Sequence, residues 1–166
     1  MPRPDPATLA TGEAAGSGLT IHGYCDTPAE LILQRFRRGD FEALRQMRGE
    51  YTLVHESEGA CTIITSPVGA IHHYYTLAGA ESAGFVHGRQ LIDILRRAGL
   101  AWEWDWQALG DLCQLENLTG NATLHPAIRR VPPGSVLQYS HGALSLDSRP
   151  LIDAIPQQPA DPDRAV

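Results

Sequence analysis

At 166 residues and 43% apolar content, the chain can bury one hydrophobic core and seldom two, so a single domain is expected. A formal net charge of −6 argues against a general nucleic-acid surface, because phosphate binding draws on clustered positive charge. All thirteen basic residues are arginine, which excludes a lysine Schiff base or a lysine that grips ATP phosphates. No run of about eighteen apolar residues occurs, and Met1-Pro2-Arg3-Pro4-Asp5-Pro6 lacks the apolar stretch of a secretion signal. The expectation is a cytoplasmic protein with no membrane partner. Cys25, Cys61 and Cys113 are odd in number and widely spaced, which suits buried, reduced thiols better than a disulfide framework.

Residues 1–18 and 156–166 mix Pro, Ala, Gly, Ser, Gln and Asp without periodicity and read as disordered tails around a domain at 19–155. Leu19 to Tyr24 reads as a strand. Thr27-Pro28-Ala29-Glu30 has the pattern of a capped helix start, with Thr27 as cap, Pro28 in the first turn and Glu30 closing a capping box. That helix carries Leu31, Ile32 and Phe36 on one face and ends near Gly39, and a shorter one follows around Phe41, Leu44 and Met47. Strands are expected at Tyr51–Glu56, Cys61–Thr65, Ile71–Thr76 and Gly84–His87, with turns at Glu58-Gly59 and Gly79-Ala80. Helices follow at Arg89–Ala98 and from Trp106 to about Leu115. Val131-Pro132-Pro133-Gly134 breaks the chain, and Ser135–Tyr139 and Ala143–Asp147 flank a hairpin turn at His141-Gly142. Helices and antiparallel strands in separate blocks define an α+β fold.

Four stretches, in order, resemble the N-terminal glutaminase domain of the asparagine synthetase and class II glutamine amidotransferase family. Cys25-Asp26-Thr27-Pro28-Ala29-Glu30-Leu31-Ile32-Leu33 is similar to that family's Ser-Asp-Thr-Glu followed by an apolar helix. Phe41 to Tyr51 resembles its Leu-x-x-Leu-x-Gly-x-Phe-Ala-Phe segment, and Val68-Gly69-Ala70-Ile71-His72-His73-Tyr74-Tyr75 its Gly-x-x-Pro-Leu-Tyr-Tyr, with Gly84-Phe85-Val86 in place of its Phe-Ala-Ser-Glu strand. The most specific stretch is Thr123-Leu124-His125-Pro126-Ala127-Ile128-Arg129-Arg130-Val131-Pro132-Pro133-Gly134, similar to Thr-x-x-x-x-Ile-basic-basic-Leu-Pro-Pro-Gly. The resemblance implies part of an N-terminal-nucleophile-hydrolase-like sandwich of antiparallel sheets flanked by helices.

It does not imply the activity. In that family the nucleophile is a cysteine made N-terminal by methionine removal, with its own amino group as base; here residue 2 is Pro2. Too few residues precede Asp26 to supply the arginine loop and Asn-Gly pair that hold glutamine in the family. Asp26 alone matches by position a glutamine-site residue, the aspartate that pairs with the substrate amino group, and it also suits a helix N-terminus. Cys25 lies directly before the helix signal and reads as a small buried side chain rather than a nucleophile that starts a strand.

His72, His73, Tyr74 and Tyr75 form the densest polar cluster, from which His72 and Tyr74 join Asp26 as candidate ligand-binding residues. Strand alternation keeps His72 and His73 from sharing a pocket, so no metal site is expected there; His22, His55, His87, His125 and His141 look dispersed. Trp102, Trp104 and Trp106 suit either an aromatic contact surface or the anchor of an edge strand or helix start. No phosphate loop of either the Gly-x-x-x-x-Gly-Lys or the Ser-Gly-Gly-x-Asp-Ser kind is present, and no catalytic residue or cofactor is expected. The resulting expectation is a non-catalytic glutaminase-like domain that supports an asparagine synthetase-like, ATP-dependent amide-forming enzyme. The resemblance extends to natural-product enzymes, such as lasso-peptide cyclases and β-lactam synthetases, whose glutaminase domains are inactive. A second copy of the chain is the other expected partner. Two rival readings are an enzyme with a site rebuilt from Cys25, Asp26, His72 and Tyr74, and a fragment of a split asparagine synthetase.

Overall fold

The computed structural model describes residues 12–13, 18–77, 84–118 and 120–149, without the side chains of 12 and 13. The remainder of the two expected tails, and the turn expected at Gly79-Ala80, lie outside the described residues.

The chain is α+β, with two antiparallel sheets and short helices. β1 (Gly12–Glu13), β2 (Leu19–Cys25), β3 (Gly49–Ser57), β4 (Ala60–Thr65), β8 (Ser135–Ser140) and β9 (Ala143–Ser148) form a six-stranded sheet in the order β1-β2-β3-β4-β8-β9. β6 (Val86–Gly88), β5 (Tyr74–Thr76) and β7 (Arg129–Arg130) form a three-stranded sheet in the order β6-β5-β7. Gly12 and Glu13 pair with Ile21 and Thr20, so the tail expected at 1–18 does not extend to these two residues.

The central strands bury both faces of the large sheet. Leu53, Ile64 and Val136 join Leu19, Tyr51 and Met47 on one face, where α1 (Ala29–Arg38) supplies Ile32 and Phe36 and α2 (Phe41–Arg45) supplies Leu44. Val54, Ile63, Cys61 and Leu137 face the other way and pack on Tyr75 and Val131 of the smaller layer. On the far side of the small sheet, α3 (Leu91–Ala98) presents Ile94, Leu95 and Ala98 to Val86 and Ile128. α4 (Trp106–Leu115) lies at the periphery and buries only Ala108.

Local chemistry sets the helix ends, with one departure from expectation. α1 begins a residue later than a Thr27 cap requires. Pro28 is extended (ψ 146°), and its carbonyl accepts from Leu31 and Ile32 N–H at 3.1 Å. With Pro28 outside the helix, Thr27 is too far upstream to cap, and its hydroxyl donates to the Asp26 carboxylate instead. Pro28 is therefore the N-cap residue and no side chain caps α1, whereas Asp40 and Asp105 cap α2 and α4 by accepting from Ala43 and Ala108 N–H. Leu31 is exposed, so the buried stripe of α1 is Ile32 and Phe36. Gly39 ends α1 in the left-handed region, as a C-terminal glycine should.

β5 is half as long as the run Ile71–Thr76 suggests, because the backbone before it is used elsewhere: Thr52 Oγ1 donates to Ile71 O and Val131 N–H to His73 O. The break at Val131–Gly134 docks onto the end of β4, where Thr65 Oγ1 donates to Pro132 O at 2.6 Å and Gly134 N–H to Ser66 O at 2.9 Å. Gly69 (φ 66°) closes over this turn, and a Cβ there would come within 2.6 Å of Pro133 Cγ.

Tyr51 anchors α2 to the sheet from a fully buried position, its hydroxyl donating to Leu44 O at 2.7 Å. Tyr51→Phe leaves that carbonyl without its donor, and a loss of about 1–3 kcal/mol is expected. Leu53→Ala opens a cavity where the sheet meets α1 and α2 and is expected to cost about 2–5 kcal/mol. Urea denaturation measures both, and a Leu53→Ala loss below about 2 kcal/mol would contradict a close-packed contact of the sheet with α1 and α2.

Candidate functional site

The three residues expected to bind a ligand do not converge in one buried pocket. Asp26 is exposed at the end of β2; its N–H donates to Arg48 O at 3.0 Å, and its carboxylate accepts from the Thr27 hydroxyl at 3.1 Å. His72 is also exposed, with Nδ1 3.4 Å from the Tyr74 hydroxyl. Cys25 packs against the core beside α1, its thiol donating to Thr27 O, and burial raises its pKa. Cys113 is exposed, contrary to the expectation that all three thiols are buried, because α4 turns little of its surface inward.

Unlike the exposed His72, and although neither residue lies within β5, His73 is 2% exposed. It meets two histidines that sequence spacing leaves scattered. His73 Nε2 lies 3.1 Å from His87 Nδ1, and the His22 and His73 rings are 5.9 Å apart. The other nitrogen of His87, Nε2, lies 3.0 Å from Glu56 Oε1 and 3.5 Å from Cys61 Sγ. A hydrogen-bonded line therefore runs Glu56–His87–His73 along the seam between the two sheets, opening into a cleft of about 460 Å³.

The folding of each strand explains how these groups meet. Along β3, alternation sends Thr52, Val54 and Glu56 toward the small sheet, while Tyr51 and Leu53 face α1 and α2. The turn at Glu58-Gly59 sets the β3–β4 register so that Glu56 is directly opposite Cys61, on the same face. His87 comes from β6 in the opposing sheet, and the Arg97 guanidinium of α3 donates to its carbonyl. Among the described residues, the Nδ1 atoms of His22 and His73 are buried without a hydrogen-bond partner.

Burial dominates the electrostatics. It holds His73 down at about 3 from an ordinary 6.5, with His87, His22, Arg89 and Arg97 adding to the effect. His87 is lowered by burial against the opposing pull of its hydrogen bond to Glu56, and His22 is lowered by burial and Arg89. The Cys61 thiol is pushed up to about 12 by burial and by the Glu56 charge. At neutral pH the seam thus holds neutral imidazoles and a protonated thiol beside one exposed carboxylate. That set has lone pairs suited to a ligand or to proton transfer, while a thiol held that high is a poor nucleophile.

The remaining histidines have structural partners. His125 Nδ1 accepts from Ala127 N–H, His55 stacks on Phe36 with ring centroids 5.0 Å apart, and His141 sits in the β8–β9 turn at φ 49°. Trp102, Trp104 and Trp106 are all exposed, the first two rings meeting edge-on at 5.1 Å. No protein-family model matches the chain, and no curated protein matches it.

His73 stays neutral in the folded protein down to about pH 3, but takes a proton near 6.5 once unfolded. Between those values the unfolded state binds more protons, so stability falls as pH drops, by about 1.4 kcal/mol per pH unit for one such histidine. His73→Asn is expected to flatten this acid limb in urea midpoints measured from pH 7 downward. An equally steep limb in the variant would contradict a neutral, buried His73.

Proposed function

We propose that the chain is a non-catalytic glutaminase-like domain, of the N-terminal-nucleophile type, that supports an asparagine synthetase-like enzyme. That partner forms amide bonds with ATP in the biosynthesis of a peptide or lactam natural product. The observation that carries this reading is the way the four resemblance-bearing stretches are joined. Asp26 N–H donates to Arg48 O at 3.0 Å, linking the first to the second, and Ala70 N–H donates to Glu50 Oε2 at 3.2 Å, linking the second to the third. Val131 N–H donates to His73 O at 2.8 Å, linking the third to the fourth. Residues distant in sequence are thus hydrogen-bonded to one another, which supports reading the four stretches as parts of one domain.

The layering of helices, two antiparallel sheets and a further helix supports the same reading. Cys25 fits it as well. A rebuilt nucleophile needs a lowered pKa and an adjacent base, whereas this thiol is raised by burial and engaged with a backbone carbonyl beside α1. Asp26 and His72 then act as surface polar groups and Tyr74 as a half-buried packing residue beside α3, rather than as a glutamine site.

Incubated with glutamine, the isolated chain is expected to release no ammonia above a buffer blank. Release that disappears in Cys25→Ser would replace this reading with that of a rebuilt enzyme. Mixed with the product of a neighbouring reading frame that carries the Ser-Gly-Gly-x-Asp-Ser loop, the chain is expected to co-elute and to raise ATP-dependent amide formation. A synthetase that does not bind the chain and is equally active alone defeats the proposal.

A further inference from the structure

We propose that Cys61 Sγ, His87 Nε2 and Glu56 Oε1 form a binding site for a divalent transition-metal ion of the zinc class, which clips the two sheets together. The three ligand atoms lie within 4.8 Å of one another. Ligand bonds of about 2.0–2.3 Å in a tetrahedral site place neighbouring ligand atoms roughly 3.3–3.8 Å apart. The His87–Cys61 separation of 3.5 Å already lies in that range, and the 3.0 Å His87–Glu56 contact must open by only a few tenths of an ångström. The Glu56 side chain is 61% exposed and therefore free to make that adjustment. Cys61 and Glu56 are cross-strand partners on one face of the large sheet, and His87 comes from the small one. An ion bound by all three is thus held by both layers.

The chemistry of the donors selects the class of ion. A thiolate and an imidazole favour zinc-like ions over calcium or magnesium, which take oxygen. Binding forms metal–sulfur and metal–nitrogen bonds: the S–H bond of Cys61 breaks and its proton leaves to solvent, while His87 exchanges the tautomer that donates Nε2–H to Glu56 for the one that donates Nδ1–H to His73 Nε2, His73 then carrying its own proton on Nδ1. Glu56 is already a carboxylate acceptor, and solvent in the cleft supplies the fourth position. The hydrogen bond between His73 and His87 fixes the ring that must present Nε2, the arrangement by which metal-binding histidines are usually oriented. His73 is therefore a positioning residue.

His73 is 2% exposed, yet its Nδ1 is buried without a partner among the described residues, and His22 Nδ1 is likewise unpartnered beside it. These two atoms lie on the side of His73 away from His87, so they border the cleft and are not ligands of the ion. The cleft of about 460 Å³ lined by His22, Glu56, His73 and His87 brings solvent to the Glu56 and His87 ligands, behind which Cys61 is 6% exposed.

The test is a cobalt titration of the metal-stripped full chain, followed by zinc competition. One equivalent is expected to give a thiolate-to-cobalt charge-transfer band that zinc abolishes, and zinc is expected to raise the melting temperature reversibly with chelator. Cys61→Ser should lose the band, and His87→Gln, Glu56→Gln and His73→Asn should each weaken binding about tenfold or more. Cys113→Ser, which alters the exposed thiol on α4, should change nothing. Far-UV circular dichroism shows whether each variant is folded, and Glu56→Gln, at an exposed side chain, keeps the test decisive if Cys61→Ser unfolds. The proposal is overturned if the folded wild type gives no thiolate band, if the band follows Cys113 instead, or if Glu56→Gln binds as tightly as wild type.

Discussion

Three consecutive apolar pairs, Leu53-Val54, Ile63-Ile64 and Val136-Leu137, lie side by side on adjacent strands and send one residue to each face of the large sheet. The register aligns Leu53 with Ile64 and Ile64 with Val136, and it aligns Val54 with Ile63 and Ile63 with Leu137. One row meets α1 and α2; the other meets the small sheet. An antiparallel sheet usually leaves one face to water. Here a slip of one residue would exchange two buried faces, so the pattern tolerates alternation errors poorly only where polar residues interrupt it. Those interruptions are Thr52 and Glu56 on β3 and Thr62 on β4, and the pairing of β3 with β4 around the Glu58-Gly59 turn holds them in place.

The histidine seam follows from that constraint. Once the inner face is committed to the small sheet, the side chains it projects beneath that sheet are desolvated, polar ones included. Glu56 escapes by reaching solvent, whereas His73 and His87 are held neutral by burial and hydrogen-bond to one another. Arg89 and Arg97 further disfavour a positive charge on His73. The cluster is thus a product of layer packing, and its polar capacity lies where two sheets approach.

Away from the seam, charge works at the surface of the opposite layer. Arg45 is 6% exposed and donates to Asp147 Oδ2 at 2.6 Å, tying α2 to β9, and this hydrogen bond holds the Asp147 carboxyl below its usual range. Removing Asp147 leaves the buried Arg45 guanidinium without its closest carboxylate, whereas removing Arg45 leaves only an exposed Asp147, so the contact fixes where α2 sits more than it adds stability. The exposed tryptophans and Cys113 lie around α4, whose single buried residue leaves it the most loosely held helix.

Much of the secondary structure was legible because it depends on local chemistry. Gly39 and the break at Pro132-Pro133-Gly134, the His141-Gly142 turn, and the periodicity of Ile32 with Phe36 each reflect a backbone or period preference carried by a few neighbouring residues. The start of α1 and the shortness of β5 were not legible, since Pro28 adopts an extended angle and Ile71 and His73 give their carbonyls to Thr52 and Val131, which lie far along the chain. In the same way, the burial of His73 beside an exposed His72 does not come from strand alternation, since neither residue lies in β5, and it is the β3–β4 register that sets Glu56 opposite Cys61. That His22, His73 and His87 gather beside them could be decided only by stacking one sheet on another. Sequence spacing records distance along a strand, whereas the seam is made by residues whose sole relation is to face each other across two layers.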